Sequence, residues 1–86
     1  MDTVSDRRAR YHRDLSRRML DLAHLLGTGT VFTRKELFAA LGNADPLPEK
    51  EVIFARLAGK GHIKRQGING RYRYNPTLTH RTVAGF

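Results

Sequence analysis

The sequence predicts a mainly α-helical domain that carries a small β-hairpin, and three observations lead to this α+β fold class. Apolar residues recur at helical spacing between Tyr11 and Leu26. The segment Thr33-Arg-Lys-Glu36, followed at once by apolar residues, has the pattern of a capping box that starts a helix. Behind an Asn-Gly turn signal, Arg71-Tyr-Arg-Tyr74 alternates as a strand does.

Composition limits the size and the setting of this domain. A chain of 86 residues has room for one modest core, because chains this short bury only about 60% of their unfolded surface. The chain has no cysteine, which excludes disulfides and thiolate zinc sites and is typical of a reducing compartment. No apolar run reaches the ~18 residues of a membrane span, and neither a secretory signal nor an acid-poor transit peptide is recognisable. The expected location is therefore cytoplasmic, on the nucleoid if the chain is bacterial.

The first and longest helix is predicted from Ser5, as its N-cap, to Gly27, as a left-handed residue that ends it. Residues 1–5 are predicted to be a disordered N-terminus. Spacings of three and four residues give the helix one apolar stripe that faces a core. The stripe consists of Tyr11, Leu15, Met19, Leu22 and Leu26.

The opposite face of this helix is basic, with Arg10, Arg13 and Arg17 at spacings of three and four residues. Asp14 and Asp21 stand four residues after Arg10 and Arg17, so ion pairs within the helix are expected to offset part of the charge. Three uses of this face stay open: an arm that contacts phosphates, a solvated surface, and exposed turns that pair with a second copy in a homodimer.

Two shorter helices are predicted in the middle of the chain. Residues 28–32 form a connector or a single short strand, and the second helix runs from the capping residue Thr33 to Gly42. Pro48 is suited to a first helical turn, so the third helix is predicted from Pro48 to Ala58, with Gly59 closing it. The predicted buried stripe of this helix consists of Ile53, Phe54 and Leu57.

This order of elements, with a basic hairpin after the third helix, is that of a winged helix-turn-helix domain. The run Leu57-Ala-Gly-Lys-Gly61-His-Ile63, followed by a short hairpin and Tyr72-Arg-Tyr74, resembles the passage from recognition helix to wing in that superfamily. The resemblance covers residues 6–76 and leaves residues 77–86 as a C-terminal tail. It implies nucleic-acid binding, with the third helix in the major groove and the wing on neighbouring phosphates or the minor groove.

The charge of the chain agrees with that implication. Sixteen Lys and Arg against eight Asp and Glu give a net charge of +8, which favours binding to a polyanion. Five cations are expected on the wing, with Arg71 and Arg73 projecting from one face while Tyr72 and Tyr74 cover the core. The residues expected to contact nucleic acid are Arg34, Lys35, Lys50, Arg56, Lys60, Lys64, Arg65, Arg71 and Arg73, with Arg10, Arg13 and Arg17 of the first helix.

The third helix departs from a typical groove-reading helix. Its predicted outward face carries Glu49, Glu51, Val52, Ala55 and Arg56, whereas Lys50 lies on the inward side. Two glutamates repel phosphates, although a glutamate can accept a hydrogen bond from cytosine. This face therefore favours an alternative function, docking on an acidic protein partner within a nucleic-acid machine. Binding to RNA or to a left-handed duplex is less favoured, because residues such as Val52 and Ala55 stand where the latter domains carry asparagine and tyrosine.

The sequence thus predicts a small DNA-binding protein that regulates transcription or mobile-element genes. Its expected partner is double-stranded DNA; no membrane, no small-molecule ligand and no cofactor is indicated. The four histidines lack metal-ligand spacing, and no nucleophile stands with an oriented base, so enzymatic activity is not expected.

Overall fold

The structure is a computed structural model that describes residues 3–67 and 69–75. The expectations for residues 1–2, Pro76 and the 77–86 tail lie outside the described residues. Three helices and one antiparallel sheet with the strand order β1-β3-β2 form an α+β fold with a hairpin-like wing, which confirms the predicted fold class. The elements are α1 (Val4–Gly27), β1 (Phe32–Thr33), α2 (Arg34–Leu41), α3 (Leu47–Gly59), β2 (Ile63–Gln66) and β3 (Arg71–Tyr74).

Helix α1 begins earlier than the sequence predicts. Thr3, and not Ser5, is the N-cap, and its hydroxyl accepts from the amide of Asp6 while the Asp6 carboxylate accepts from the amide of Thr3. This reciprocal arrangement is a second capping box, beside the predicted one at Thr33 and Glu36, which is confirmed. Residues 4–10 are all exposed, so the first turns of α1 extend beyond the core.

One core joins all three helices and the sheet. The predicted stripes of α1 and α3 supply half of the buried apolar residues among those that the structure describes. Aromatic edge-to-face contacts of Phe54 connect α3 to Phe38 of α2 and to Tyr72 of β3, with ring centroids 5.9 and 4.9 Å apart. The buried apolar residues are Leu15, Met19, Ala23, Phe32, Leu37, Phe38, Ile53, Phe54, Leu57 and Ile63.

The C-terminal end of α1 passes very close to the sheet at Gly27. This glycine is the last residue of the helix and has no positive φ, so the predicted left-handed ending is wrong. A Cβ atom at this position would lie 2.5 Å from Cε1 of Phe32 and 2.9 Å from the backbone nitrogen of Tyr74. Glycine is therefore required by the close approach of helix and sheet.

The turn between α2 and α3 is tied to α1 through the buried carboxylate of Asp45. Arg18 donates to both of its oxygens, with Nη1–Oδ2 and Nη2–Oδ1 distances of 2.8 and 3.1 Å, and the Tyr11 hydroxyl donates at 2.8 Å. The Arg18 guanidinium outweighs burial and lowers the pKa of Asp45. Burial first, and the contact with Asp45 second, raise the pKa of Tyr11 to about 12. The charged carboxylate is thus fully compensated.

A buried lysine completes the end of α2. Gly42 stops this helix with a φ of 87°, and the Lys50 ammonium donates to the Gly42 carbonyl oxygen at 2.9 Å. Lys50 belongs to the predicted nucleic-acid set, but it is only 6% exposed and its Nζ atom lies 5.7 Å from the centre of the Phe38 ring. Its role here is to hold two helices together, so we exclude it from the candidate interface.

The two carboxylates that Arg18 contacts provide a matched test of this network. We expect Asp45→Asn to lower the free energy of unfolding by about 2 kcal/mol, because buried donors lose their charged acceptor. Asp14→Asn removes an exposed partner of the same arginine, 2.9 Å from its Nε atom, and is expected to cost about 0.5 kcal/mol. Urea unfolding measures both; equal losses would contradict the assignment of Asp45 as the anchor.

Two glycines at helix ends provide a second matched test. We expect Gly27→Ala to destabilise the fold by about 1–3 kcal/mol through overpacking. A Cβ atom at Gly59 meets nothing within 4 Å and its φ is not positive, so Gly59→Ala is expected to stabilise the fold by about 0.5–1 kcal/mol. Thermal unfolding compares the two variants; a neutral Gly27→Ala would show that helix and sheet are not in close contact.

Candidate nucleic-acid interface

The hairpin places three cations on one face of the sheet. In the antiparallel register Lys64 pairs with Arg73, and Gln66 pairs with Arg71. Side chains of paired residues project from the same face, and alternate residues of one strand share a face. Lys64, Arg71 and Arg73 therefore project together, and all three are exposed. We call the surface formed by these three residues the outer sheet face.

The opposite face of the same strands packs on the core. Tyr72 and Tyr74 are partly buried there, as predicted, beside the buried Ile63. Arg65 pairs with Tyr72, so it projects from this inner face and not with its neighbour Lys64. Lys60 caps α3 before the hairpin begins. Five cations are expected on the wing, namely Lys60, Lys64, Arg65, Arg71 and Arg73. Only Lys64, Arg71 and Arg73 share a face, because the strand period separates adjacent residues.

The two ends of the hairpin differ in the way the chain is held. Between the paired residues Gln66 and Arg71, Gly67 and Gly70 have φ values of 77° and 66°, whereas Asn69 has no positive φ. The hairpin signal is confirmed, but the two-residue turn that Asn-Gly favours does not form. At the base, Asn75 donates from its amide nitrogen to His62 and from Nδ2 to Gly61, at 2.9 and 2.8 Å. Both strands are thus fixed where they leave the core.

Strand β1, which pairs with β3, brings the start of α2 to the outer sheet face. Thr33 of β1 pairs with Arg71, and the exposed residues Arg34 and Lys35 follow it directly. The guanidinium of Arg34 lies 6.0 Å from the centre of the Phe38 ring. The acid of this turn is Glu36, and its carboxylate accepts a hydrogen bond from the backbone amide of Thr33. The start of α2 therefore adds Arg34 and Lys35 beside the hairpin, while the carboxylate of Glu36 caps the helix.

Within residues 3–67 and 69–75, no carboxylate pairs with Lys64, Arg71 or Arg73. Lys64 and Arg73 stand directly opposite each other, and like charges in this position destabilise a sheet. An anion bound to this face would relieve that repulsion. As far as the described residues go, the outer sheet face is therefore a cationic surface without a compensating carboxylate.

Helix α3 presents less acid to solvent than its sequence predicts. The Glu49 carboxylate turns towards α1, where Oε2 lies 2.6 Å from Nε2 of His12 and Oε1 lies 4.0 Å from Nη2 of Arg8. Its predicted outward position is wrong, because a tertiary ion pair with α1 holds it. Glu51 is exposed, as are Val52, Ala55 and Arg56. The exposed face of α3 thus carries one acid, two apolar residues and one arginine.

The arginines of α1 divide into structural and exposed residues. Arg10, Arg13 and Arg17 are exposed, as predicted. Asp14 stands four residues after Arg10 and four residues before Arg18. It accepts a hydrogen bond from Arg18. Sequence spacing gives Asp14 two equivalent neighbours, so the role of Arg18 as the anchor of Asp45 could not be inferred from the helix pattern alone.

No protein-family model, no curated protein and no solved structure matches this chain. Among the described residues, no helix is long and apolar enough to cross a membrane. The same part of the chain holds no group of three or more His, Asp and Glu residues that could bind a metal ion.

The repulsion between Lys64 and Arg73 gives a stability prediction. Lys64→Glu replaces a repulsive cross-strand pair by an attractive one and is expected to raise the free energy of unfolding by about 0.2–1 kcal/mol. Lys64→Gln serves as the control and should yield a smaller increase, because it removes the repulsion without adding attraction. Urea unfolding measures both variants; a destabilised Lys64→Glu would contradict the register of β2 and β3.

Proposed function

We propose that this chain is a small winged-helix module that binds double-stranded DNA, as expected of a regulator of transcription or of mobile-element genes. One observation carries the proposal: the outer sheet face groups Lys64, Arg71 and Arg73 with no pairing carboxylate among the described residues. The β1-β3-β2 sheet and the position of the hairpin after the third helix support the winged-helix assignment.

The chemistry of the outer sheet face suits a phosphate backbone. Arginine binds phosphate through a planar set of donors, and lysine contributes a point charge. Arg71 and Arg73 stand about 7 Å apart along one strand, and the cross-strand partner Lys64 widens the face at right angles to it. Several phosphates can thus be contacted at once, and counterion release supplies the binding free energy.

Helix α3 contributes little to base recognition in this proposal. Its exposed side offers a single strong donor, Arg56, together with Glu51, Val52 and Ala55. Donors are what most base edges and phosphates require. The capture of Glu49 by α1 removes one repulsive carboxylate from this side. We therefore propose that affinity comes mainly from phosphates and that Arg56 is the principal candidate for contact with a base.

The test is the salt dependence of binding to a random-sequence duplex. Each phosphate that the protein neutralises contributes about 0.9 to the slope of log affinity against log salt. Replacing Arg71 and Arg73 together by Gln should therefore flatten the slope by about two units and weaken binding to every sequence alike. Thermal unfolding of each variant confirms that the fold is retained.

A matched pair of single variants controls for net charge. Arg73→Gln and Arg65→Gln each remove one positive charge from the same hairpin, but from opposite faces. Only Arg73→Gln should flatten the slope, by about one unit. Equal effects would show a general response to charge, and absence of duplex binding by the parent protein at low salt would overturn the proposed function.

Docking on another protein is a second candidate, and the exposed apolar residues of α3 favour it. Leu47 is 54% exposed and Val52 is 48% exposed, on a helix that otherwise contributes to the core. Such residues commonly mark protein contacts when they form a patch. Replacing both by Ser should leave the DNA salt slope unchanged if only DNA is bound, and should abolish capture of an acidic partner protein if docking is the function.

A further inference from the structure

The asparagines of the chain differ in their surroundings, and they are Asn43, Asn69 and Asn75. Asn75 is partly buried and donates from Nδ2 to the carbonyl oxygen of Gly61. The residue after it is a proline, which has no backbone N–H. Asn43 is exposed and is followed by an alanine, whereas Asn69 is exposed and is followed by Gly70.

At the end of the hairpin, the reactive atoms of Asn69 and Gly70 are accessible. Within residues 3–67 and 69–75, neither the side-chain amide of Asn69 nor the backbone nitrogen of Gly70 takes part in a hydrogen bond. Apart from the neighbours of Gly70 in the chain, nothing lies within 4 Å of a Cβ atom at this position. Glycine itself places no side chain beside its nitrogen. The nitrogen of Gly70 can therefore approach the side-chain carbon of Asn69.

This pair of residues suits the loss of an asparagine amide through a cyclic imide. The backbone nitrogen of Gly70 attacks Cγ of Asn69, a new C–N bond closes the ring, and Nδ2 leaves as ammonia with the proton of the Gly70 nitrogen. Water then adds to one of the ring carbonyls and opens the ring, which gives an aspartate or an isoaspartate. An alanine methyl group hinders the attack, and a proline nitrogen has no proton to release, so the reaction favours Asn69.

We propose that Asn69 is a site of spontaneous deamidation, and that the carboxylate formed there weakens DNA binding by the outer sheet face. The site follows from the surroundings of Asn69 and Gly70 alone, whereas its effect on binding rests on the proposed function. Asn69 and Arg71 are two residues apart, so their Cα atoms are at most about 7 Å apart. This distance is within the Debye length of about 8 Å at physiological ionic strength. The new negative charge therefore lowers the positive field at Arg71.

The first experiment follows the modification by mass spectrometry after incubation of the full chain at physiological temperature and mildly alkaline pH. Trypsin cleaves after lysine and arginine, so the asparagines fall in separate peptides, residues 36–50, 66–71 and 74–81. We expect the mass shift of an NH2 to OH exchange in the 66–71 peptide, on residue 69, before it appears in the other two. Asn69→Gln should abolish this shift, because glutamine closes a larger ring slowly, whereas Asn43→Gln should leave it unchanged.

The same incubation in concentrated guanidinium chloride shows what the fold contributes. Because Asn69 is exposed and Gly70 has open space around it, the rate in the folded protein should approach the rate in the unfolded chain. Modification in the denaturant alone would show that the folded protein protects Asn69, and this result would overturn the inference. An unchanged mass of the 66–71 peptide under both conditions would overturn it as well.

The second experiment compares two variants that each add one negative charge. Asn69→Asp places it near Arg71, whereas Asn43→Asp places it beyond the far end of α2, about 12 Å along the helix axis from Thr33. At low salt we expect Asn69→Asp to bind a random-sequence duplex about two- to fivefold more weakly than the parent protein, the factor of an exposed ion pair. Asn43→Asp should bind like the parent protein, and thermal unfolding confirms that both variants fold.

The outcomes separate the modification, its effect and the proposed function. If the parent protein binds DNA and Asn69→Asp binds as well as Asn43→Asp, the weakening at Arg71 is wrong. If the parent protein binds no duplex at low salt, the proposed function fails and the effect on binding fails with it. The mass of the 66–71 peptide is measured without DNA, so it decides the modification at Asn69 in either case.

Discussion

The position of every element after α2 depends on the bidentate ion pair between Arg18 and Asp45. The turn that carries Asp45 decides the angle at which α3 leaves α2, and the hairpin follows α3 directly. A buried carboxylate without partners would be expensive, so the arginine and the Tyr11 hydroxyl are needed together. Because the folded-state pKa of Asp45 is lowered, its stabilisation is present above the ordinary carboxyl pKa and is lost as the pH falls through the lowered value. The same contact thus links α3 and the hairpin to α1.

What the sequence could predict was local. The capping box at Thr33 and Glu36, the buried stripe around Ile53 and the alternation of Arg71 to Tyr74 all follow from periods and short-range hydrogen bonds, and the structure confirms them. Some errors were local, such as the N-cap placed at Ser5 and not at Thr3, but others concern tertiary partners. Spacing tells which residues share a face but not what that face meets, so the capture of Glu49 by α1 and the close approach at Gly27 were not accessible. The Glu49 contact and the close approach at Gly27 each join elements that are separate in the sequence.

The outer sheet face groups like charges at some cost to the stability of the hairpin. The register sets Lys64 against Arg73, an arrangement that weakens the hairpin by itself. The contacts at the base of the hairpin, where Asn75 bonds to Gly61 and His62, hold the strands in spite of it. Burial first, and the nearby Lys60 second, lower the pKa of His62, so this histidine stabilises the fold while neutral and loses that effect as the pH falls below its ordinary pKa of about 6.5. A falling pH is therefore expected to lower the free energy of unfolding through this residue.

The acids of this chain are placed so that its positive charge is concentrated. Among residues 3–67 and 69–75, five acids are engaged within the fold: two cap helices, one anchors a turn, and two contact basic side chains of α1. These are Asp6, Glu36, Asp45, Asp14 and Glu49. Acids that are bonded elsewhere do not screen the hairpin, because a carboxylate held in a tertiary contact cannot swing to a distant cation. The field at the outer sheet face is thus stronger than a net charge of +8 spread evenly over the surface would give. The internal bonds of the acids thus define this cationic surface as much as the cations that form it.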